Sequence, residues 1–103
     1  MNKYGAEHLQ DHRFTLELGE IERRGLWIDV RLNLQAEPGQ VLPEDLSDPS
    51  VYVICNLEGT IVQYILLDEG CDSEFMFTPA EKEQIAAFIR QHCGASIKSL
   101  SGA

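Results

Sequence analysis

The stretch LWIDVRLNL, residues 26–34, decides the fold of this chain because hydrophobic and polar residues alternate along it. On an extended strand the two sets point to opposite faces. The preceding stretch RFTLELGEIE, residues 13–22, alternates in the same way, and Arg23-Arg24-Gly25 between the two is typical of a turn. Together they predict an antiparallel hairpin with one solvated face. In the second strand the two sets are Leu26, Ile28, Val30, Leu32 and Leu34 against Asp29, Arg31 and Asn33.

A second hairpin is predicted by VYVICNL, residues 51–57, and TIVQYILL, residues 60–67. Glu58 and Gly59 lie between them, and Gly59 can adopt the positive φ that a tight hairpin turn requires. Unlike the first hairpin, these strands carry hydrophobic residues on both faces, which is typical of strands covered on both sides. We therefore expect them near the centre of the sheet.

The end of the chain predicts a short fifth strand, EFMF, followed by the helix TPAEKEQIAAFIRQHC, residues 78–93. Thr78 as N-cap and Glu81 three positions later form the pattern of a capping box. The hydrophobic stripe of this helix includes Ile85, Ile89 and His92, and we expect it to pack on the sheet. Gly94 is expected to end the helix in the left-handed conformation.

These elements predict an α+β fold, an antiparallel meander of four to five strands with one C-terminal helix packed on one face. With 103 residues the chain is expected to form one domain, residues 13–94, between a flexible N-terminal segment, 1–12, and a flexible tail, 95–103. One helix, about 10 Å wide, is too narrow to cover such a sheet. The long connection 35–50 or a second subunit is expected to cover the remaining apolar face, and a homodimer is favoured.

The charge distribution restricts the class of partner. The formal net charge is -9, and no Lys, Arg or His occurs between Arg31 and Lys82. All the charged side chains within that interval are carboxylates, from Glu37 to Glu81, and they repel nucleic acid and anionic lipid. A basic protein partner is the electrostatic expectation, and a merely solvated acidic surface is the alternative.

The cysteines and the N-terminal stretch favour a cytoplasmic protein. Cys55, Cys71 and Cys93 are odd in number and form no C-x-x-C pair, which is typical of reduced thiols rather than of a disulfide framework. MNKYGAEHLQDHR, residues 1–13, has no apolar core of a secretory signal. The longest apolar runs are shorter than the roughly 20 residues that span a bilayer.

Trp27 is the most informative candidate for an interaction surface. In the alternation of its strand it falls on the polar face, with Asp29 and Arg31. A large aromatic residue there predicts either a partner or shielding by the long connection, since aromatic residues and Arg are enriched at interface centres. Tyr52 and Tyr64 are expected to extend this surface.

The stretch RQHCG, residues 90–94, raises the question of a metal or nucleophile site. A meander that returns through a fifth strand would place His92 and Cys93 beside Cys71 and Asp72, and these four side chains are of the types that bind zinc. Adjacent ligands on a helix diverge by about 100°, however, and helix termination explains the stretch more simply. No metal and no cofactor are expected, and His92 is poorly placed as a base for Cys93.

A further histidine pair lies near the N-terminus. His8 and His12, accompanied by Glu7 and Asp11, are spaced i,i+4 and would align if this segment were helical. The pattern is not H-E-x-x-H and lacks a recognisable third ligand. A short or frayed segment is the favoured interpretation.

No phosphate-binding, dinucleotide-binding, nucleophile-elbow or zinc-ribbon motif occurs in the sequence. The favoured hypothesis is a small acidic, non-catalytic interaction or regulatory protein. Two alternatives remain: a metal- or small-ligand-binding domain with its site near the helix C-terminus, and a small enzyme of unidentified class.

Overall fold

The computed structural model describes residues 1–3, 5–6 and 9–102. It has the predicted α+β architecture, a five-stranded antiparallel sheet with strand order β2-β3-β4-β5-β6, a separate pair β1-β7, and helices on one side. The elements are β1 (Asn2–Lys3), β2 (Phe14–Arg24), β3 (Trp27–Ala36), β4 (Pro49–Asn56), β5 (Ile61–Asp68), β6 (Cys71–Asp72), β7 (Phe75–Met76), α1 (Pro79–His92) and α2 (Gly94–Leu100).

Both predicted hairpins are confirmed. β2 pairs with β3 around a turn at Gly25, which has φ 63°, and β4 pairs with β5 around a turn in which Gly59 has φ 88°. The second turn is longer than predicted, because the Asn56 side chain accepts hydrogen bonds from the amides of Glu58 and Thr60 and holds residues 57–60 outside both strands.

A bulge that the sequence pattern did not predict interrupts β2 at Gly19. The register shifts between Leu18 and Glu20, so that Leu18 lies opposite Leu32 and Ile21 lies opposite Val30. A bulge inserts one residue and changes which side chains reach each face. Ile21 therefore joins Leu16 and Leu18 on the core side of the sheet.

The core lies between the helices and one face of the sheet. Its fully buried members include Ile28 and Val30 of β3, Val53 of β4 and Ile85 of α1. Leu46, in the connection between β3 and β4, is buried in the same cluster. The connection therefore packs on the helix side, and the expectation that it covers the second face of the sheet is wrong.

The predicted start of α1 is confirmed. The Thr78 side chain accepts a hydrogen bond from the Glu81 amide, the Glu81 carboxylate accepts one from the Thr78 amide, and Pro79 occupies the first turn. These contacts satisfy amides that a helix N-terminus leaves free.

The end of α1 differs from the prediction. Gly94 is not in the left-handed region, and instead of stopping the helical chain it begins α2. Ile97 of α2 is only 5% exposed and belongs to the core. Residues 95–100 of the segment expected to be a flexible tail thus belong to a packed helix, because Ile97 docks against the turn at Gly59 and Leu100 packs on the core.

The N-terminal residues also differ from the prediction. Met1 is 1% exposed, and β1 pairs with β7, so this segment is part of the packed domain rather than a free extension. The predicted fifth strand EFMF is wrong as a strand of the large sheet, because β7 within it pairs with β1 instead. The fifth strand of the large sheet is β6, two residues in the segment predicted as a turn. Neither helix among the described residues is long and apolar enough to cross a membrane.

Candidate functional site

The face of the large sheet opposite the helices carries most of the predicted interaction residues. We call it the open face. Directly opposed residues of antiparallel strands share a face, so the register assigns its members. They are Glu17, Glu20, Glu22 and Arg24 of β2, Trp27, Asp29 and Arg31 of β3, Tyr52 and Ile54 of β4, and Gln63 and Ile65 of β5.

The open face carries two aromatic side chains, Trp27 at the start of β3 and Tyr52 within β4. Trp27 is 41% exposed although it is among the largest side chains of the protein. The Arg31 guanidinium lies 5.2 Å from the centre of the Tyr52 ring, within the range of a cation–π contact. A shallow depression of about 180 Å³ lies beside Trp27, between Arg24, Ile54, Val62 and Gln63. Trp27, Arg31 and Tyr52 thus share one face of the sheet as predicted, and Arg31 and Tyr52 are in contact.

Asp29 is held in place on this face by Arg24. The two side chains form a double contact, with Nε to Oδ2 at 2.9 Å and Nη2 to Oδ1 at 3.3 Å. Hydrogen bonding from Arg24 lowers the pKa of Asp29, against the opposing effect of partial burial, and a hydrogen bond involving Tyr52 adds to the lowering. Asp29 therefore stays ionised at neutral pH.

Tyr64 does not belong to the open face, and its predicted place there is wrong. It lies opposite Val53, whereas Tyr52 lies opposite Ile65, so the two tyrosines point to opposite sides of the sheet. On the helix side the Lys82 ammonium lies 5.5 Å from the centre of the Tyr64 ring. Burial, with the Glu83 charge as a further contribution, raises the pKa of Tyr64.

A column of carboxylates borders the open face along β2. Glu17, Glu20 and Glu22 are exposed, and none lies within ion-pair distance of a cation among the described residues. Their opposed residues on β3 are Asn33, Arg31 and Asp29. Since Arg24 is paired with Asp29, the open face carries more exposed negative than positive charge.

The four metal candidates are not brought together. Cys71 and Asp72 are exposed in β6, at the far end of β5 from the turn at Gly59. The end of α1 lies beside that turn, and the eight residues of β5 correspond to roughly 25 Å. The expected proximity fails because β6 is too short to carry the chain back across the sheet before the helix begins. Among the described residues, no group of three His, Cys, Asp or Glu side chains is arranged to hold a metal ion.

The cysteines differ in accessibility. Cys93 is fully buried, and burial raises the pKa of its thiol. Burial and the neighbouring Cys93 thiol raise the pKa of Cys55 to about 11. Both groups are therefore neutral thiols at physiological pH, which is unsuitable for a nucleophile. Cys71 is exposed.

We expect a thiol-specific aromatic disulfide reagent to modify Cys71 rapidly in the native protein and Cys55 and Cys93 only on unfolding. The reason is access: Cys55 and Cys93 are 0% exposed. The measurement is the number of thiols released at pH 8 with and without denaturant, and Cys71→Ser serves as the control that should remove the fast phase. Rapid modification of more than one thiol in the native protein contradicts this arrangement.

The sequence pattern did not reveal a buried polar cluster around Glu81. His12 is buried, and its Nδ1 lies 3.1 Å from Glu81 Oε2, while its amide donates to the same oxygen at 2.9 Å. The Met1 amino group donates to both carboxylate oxygens. His8 and Glu7 of the predicted histidine pair lie outside the described residues. The alternation and capping signals in the sequence could not indicate this cluster, because its members are joined only by the fold.

Three comparisons with known proteins were made, and no family model, no curated protein and no solved structure matches this chain.

Proposed function

We propose that this chain is a non-catalytic protein-interaction domain that binds a basic protein partner through the open face. The observation that carries the proposal is the coincidence, on the sheet face opposite the helices, of the half-exposed Trp27, the stacked pair Arg31 and Tyr52, and a border of exposed carboxylates. Its role would be that of an adaptor, inhibitor or regulator. A cytoplasmic location belongs to the same proposal and is supported by the free thiols of Cys55, Cys71 and Cys93.

The centre of the open face has the composition of an interface hot spot. Trp, Tyr and Arg are the residues that most often dominate binding energy, and they do so where surrounding contacts exclude water. Trp27, Tyr52 and Arg31 lie on adjacent strands, and Arg31 is held over the Tyr52 ring. Because β3 and β4 are central strands of the sheet, these side chains are displayed on a rigid support.

Charge favours a basic partner over a second copy. Each copy carries a formal net charge of -9, and each open face has the exposed column Glu17, Glu20 and Glu22. Two such faces repel one another, whereas a cationic surface is attracted and its association is accelerated. A second copy of the chain, which the sequence favoured as the partner, is the competing occupant of the open face in the experiment below.

Trp27 provides the readout, because it is the single tryptophan of the chain. We expect its fluorescence to respond to an octapeptide of alternating arginine and leucine and not to one of alternating glutamate and leucine. Changing Glu17, Glu20 and Glu22 together to Gln removes three exposed carboxylates, each worth about 0.5 kcal/mol. Affinity for the basic peptide should then fall roughly tenfold.

The matched control is the triple change of Glu44, Glu69 and Glu74 to Gln, which alters net charge equally through exposed residues away from the open face. It should weaken binding much less. Equal weakening by both triple variants would show that only net charge matters and would overturn the proposal. Sedimentation equilibrium completes the test: a dimer that Trp27→Ser dissociates would assign the open face to a second copy and not to a basic partner.

A further inference from the structure

A pocket lies on the helix side of the sheet, where α1 meets α2. It has a volume of about 560 Å³. We call it the α1–α2 pocket. The turn between β4 and β5 forms one wall and the two helices form the others, through Leu57, Gly59, Ile89, Arg90, Ile97 and Lys98.

We infer that the α1–α2 pocket binds a small amphipathic carboxylate. Its volume lies within the roughly 300–1,000 Å³ that is typical of ligand sites, which are apolar with a few polar groups that fix orientation. The apolar part here is supplied by Leu57, Ile89 and Ile97. Ile89 and Ile97 are core residues only 3% and 5% exposed, so the floor of the pocket is continuous with the core.

The charged residues of the pocket select an anion. Arg90 and Lys98 line it, and both are exposed. They are two of only eight Lys and Arg residues in the chain. Arg90 donates to Glu83 through Nη2 at 2.9 Å, which leaves the other N–H groups of its guanidinium for a ligand. The lining itself contains two cations and one carboxylate, Glu58, and Glu83 lies against Arg90 outside the lining. Among the described residues the free cation of the pocket is therefore Lys98, and Arg90 offers its remaining N–H groups.

An apolar chain on this floor places its carboxylate at the mouth, near Arg90 and Lys98. Neither a neutral nor a cationic ligand of the same shape gains this interaction, and a cationic one meets repulsion. The occupant is therefore a carboxylate with a medium-length aliphatic body rather than an amine or an alcohol. This inference is independent of the proposed function, because the pocket shares no residue with the open face.

Gly94 allows the pocket to be filled without disturbing the backbone. It lines the pocket, its φ is not positive, and a Cβ placed on it meets no heavy atom within 4 Å. Gly94→Phe should block the pocket, whereas Gly94→Ala adds one methyl group and leaves most of the space. Alanine also suits a helix better than glycine, so both variants are expected to fold.

The experiment titrates the full-length chain with decanoate, followed by calorimetry and by amide chemical shifts. We expect decanoate to bind and to shift only the amides of residues 57–59 and 89–101, whereas decanol and decylamine should not bind comparably. Gly94→Ala should keep near-normal affinity for decanoate, and Gly94→Phe should lose at least tenfold in affinity. Lys98→Met should weaken binding about threefold, as an exposed charge contact does. Lys82→Met, which removes the same charge outside the pocket, should have no effect.

Binding of decanoate that Gly94→Phe does not weaken would overturn the inference, as would equal binding of decylamine. A response of Trp27 fluorescence with shifts on β3 and β4 would place decanoate on the open face and would equally overturn it. If Gly94→Phe proves unstable, Lys98→Met against Lys82→Met decides, since Lys98 is exposed, Lys82 is half-buried and neither belongs to the core. If decanoate does not bind in the α1–α2 pocket, the result expected for the basic peptide on the open face is unchanged.

Discussion

Replacing Glu81 by alanine is expected to lower the free energy of unfolding by about 3–5 kcal/mol, the cost of removing one partner of a buried charged pair. Glu81 is 0% exposed at the start of α1. Its carboxylate accepts hydrogen bonds from the Met1 amino group, from the His12 amide and from the Thr78 amide. Alanine leaves these donors without their acceptor in a buried place, and that desolvation is the main cost.

The position of Glu81 makes it a junction between distant parts of the chain. His12 precedes β2, Thr78 caps α1, and Met1 precedes β1, so that one carboxylate connects three segments. The His12 carbonyl also accepts a hydrogen bond from Gln84 Nε2 at 2.7 Å. We therefore expect Glu81→Ala to release the N-terminal segment as well as to weaken the helix start.

Glu83→Ala is the matched control, since it removes the same side chain two positions further along α1. Glu83 is exposed and pairs only with the exposed Arg90, a contact worth about 0.5 kcal/mol or less. Urea unfolding followed by far-ultraviolet circular dichroism measures both variants. Equal losses for Glu81→Ala and Glu83→Ala would contradict the buried role of Glu81.

Local signals in the sequence predicted the elements whose cause is local. The capping box at Thr78 and Glu81 and the turns at Gly25 and Gly59 depend on residues close in the chain. The length of β6, the fifth strand of the large sheet, does not depend on neighbouring residues alone. After Asp72 the chain leaves the sheet, and Phe75 lies in the register opposite Lys3. No pattern within residues 71–77 indicates that partner.

The candidate interaction face was predictable only in part, for the same kind of reason. Trp27, Asp29 and Arg31 could be assigned to one face because β3 alternates between apolar and polar residues. β5 is apolar on both faces, so its hydrophobicity gives no indication of which side Tyr64 occupies. A small-ligand site near the end of α1 was one alternative from the sequence, but the walls of the α1–α2 pocket could not be predicted, because they require α2 and the longer turn at residues 57–60, neither of which was expected.

Ile97→Ala is expected to lower the free energy of unfolding by about 2–3 kcal/mol. This value is in the lower part of the range for replacing a buried Ile by Ala, because a short terminal helix can relax around the cavity. Ile97 is buried against the turn at Gly59. Few other contacts fix α2: the Arg23 guanidinium donates to the Leu100 carbonyl at 3.2 Å, and Ser101 Oγ donates to the Leu57 carbonyl.

Ser99→Ala tests the same helix at an exposed position and should change the free energy of unfolding by no more than about 0.5 kcal/mol. Chemical denaturation gives both values, and hydrogen exchange of the Ile97 and Ser101 amides reports on α2 itself. Those amides donate to Cys93 and Ile97 carbonyls, so their protection should fall in Ile97→Ala and persist in Ser99→Ala. If residues 95–103 were instead a flexible tail, neither substitution would matter and both amides would exchange freely. The comparison therefore decides whether α2 is present to form the wall of the α1–α2 pocket.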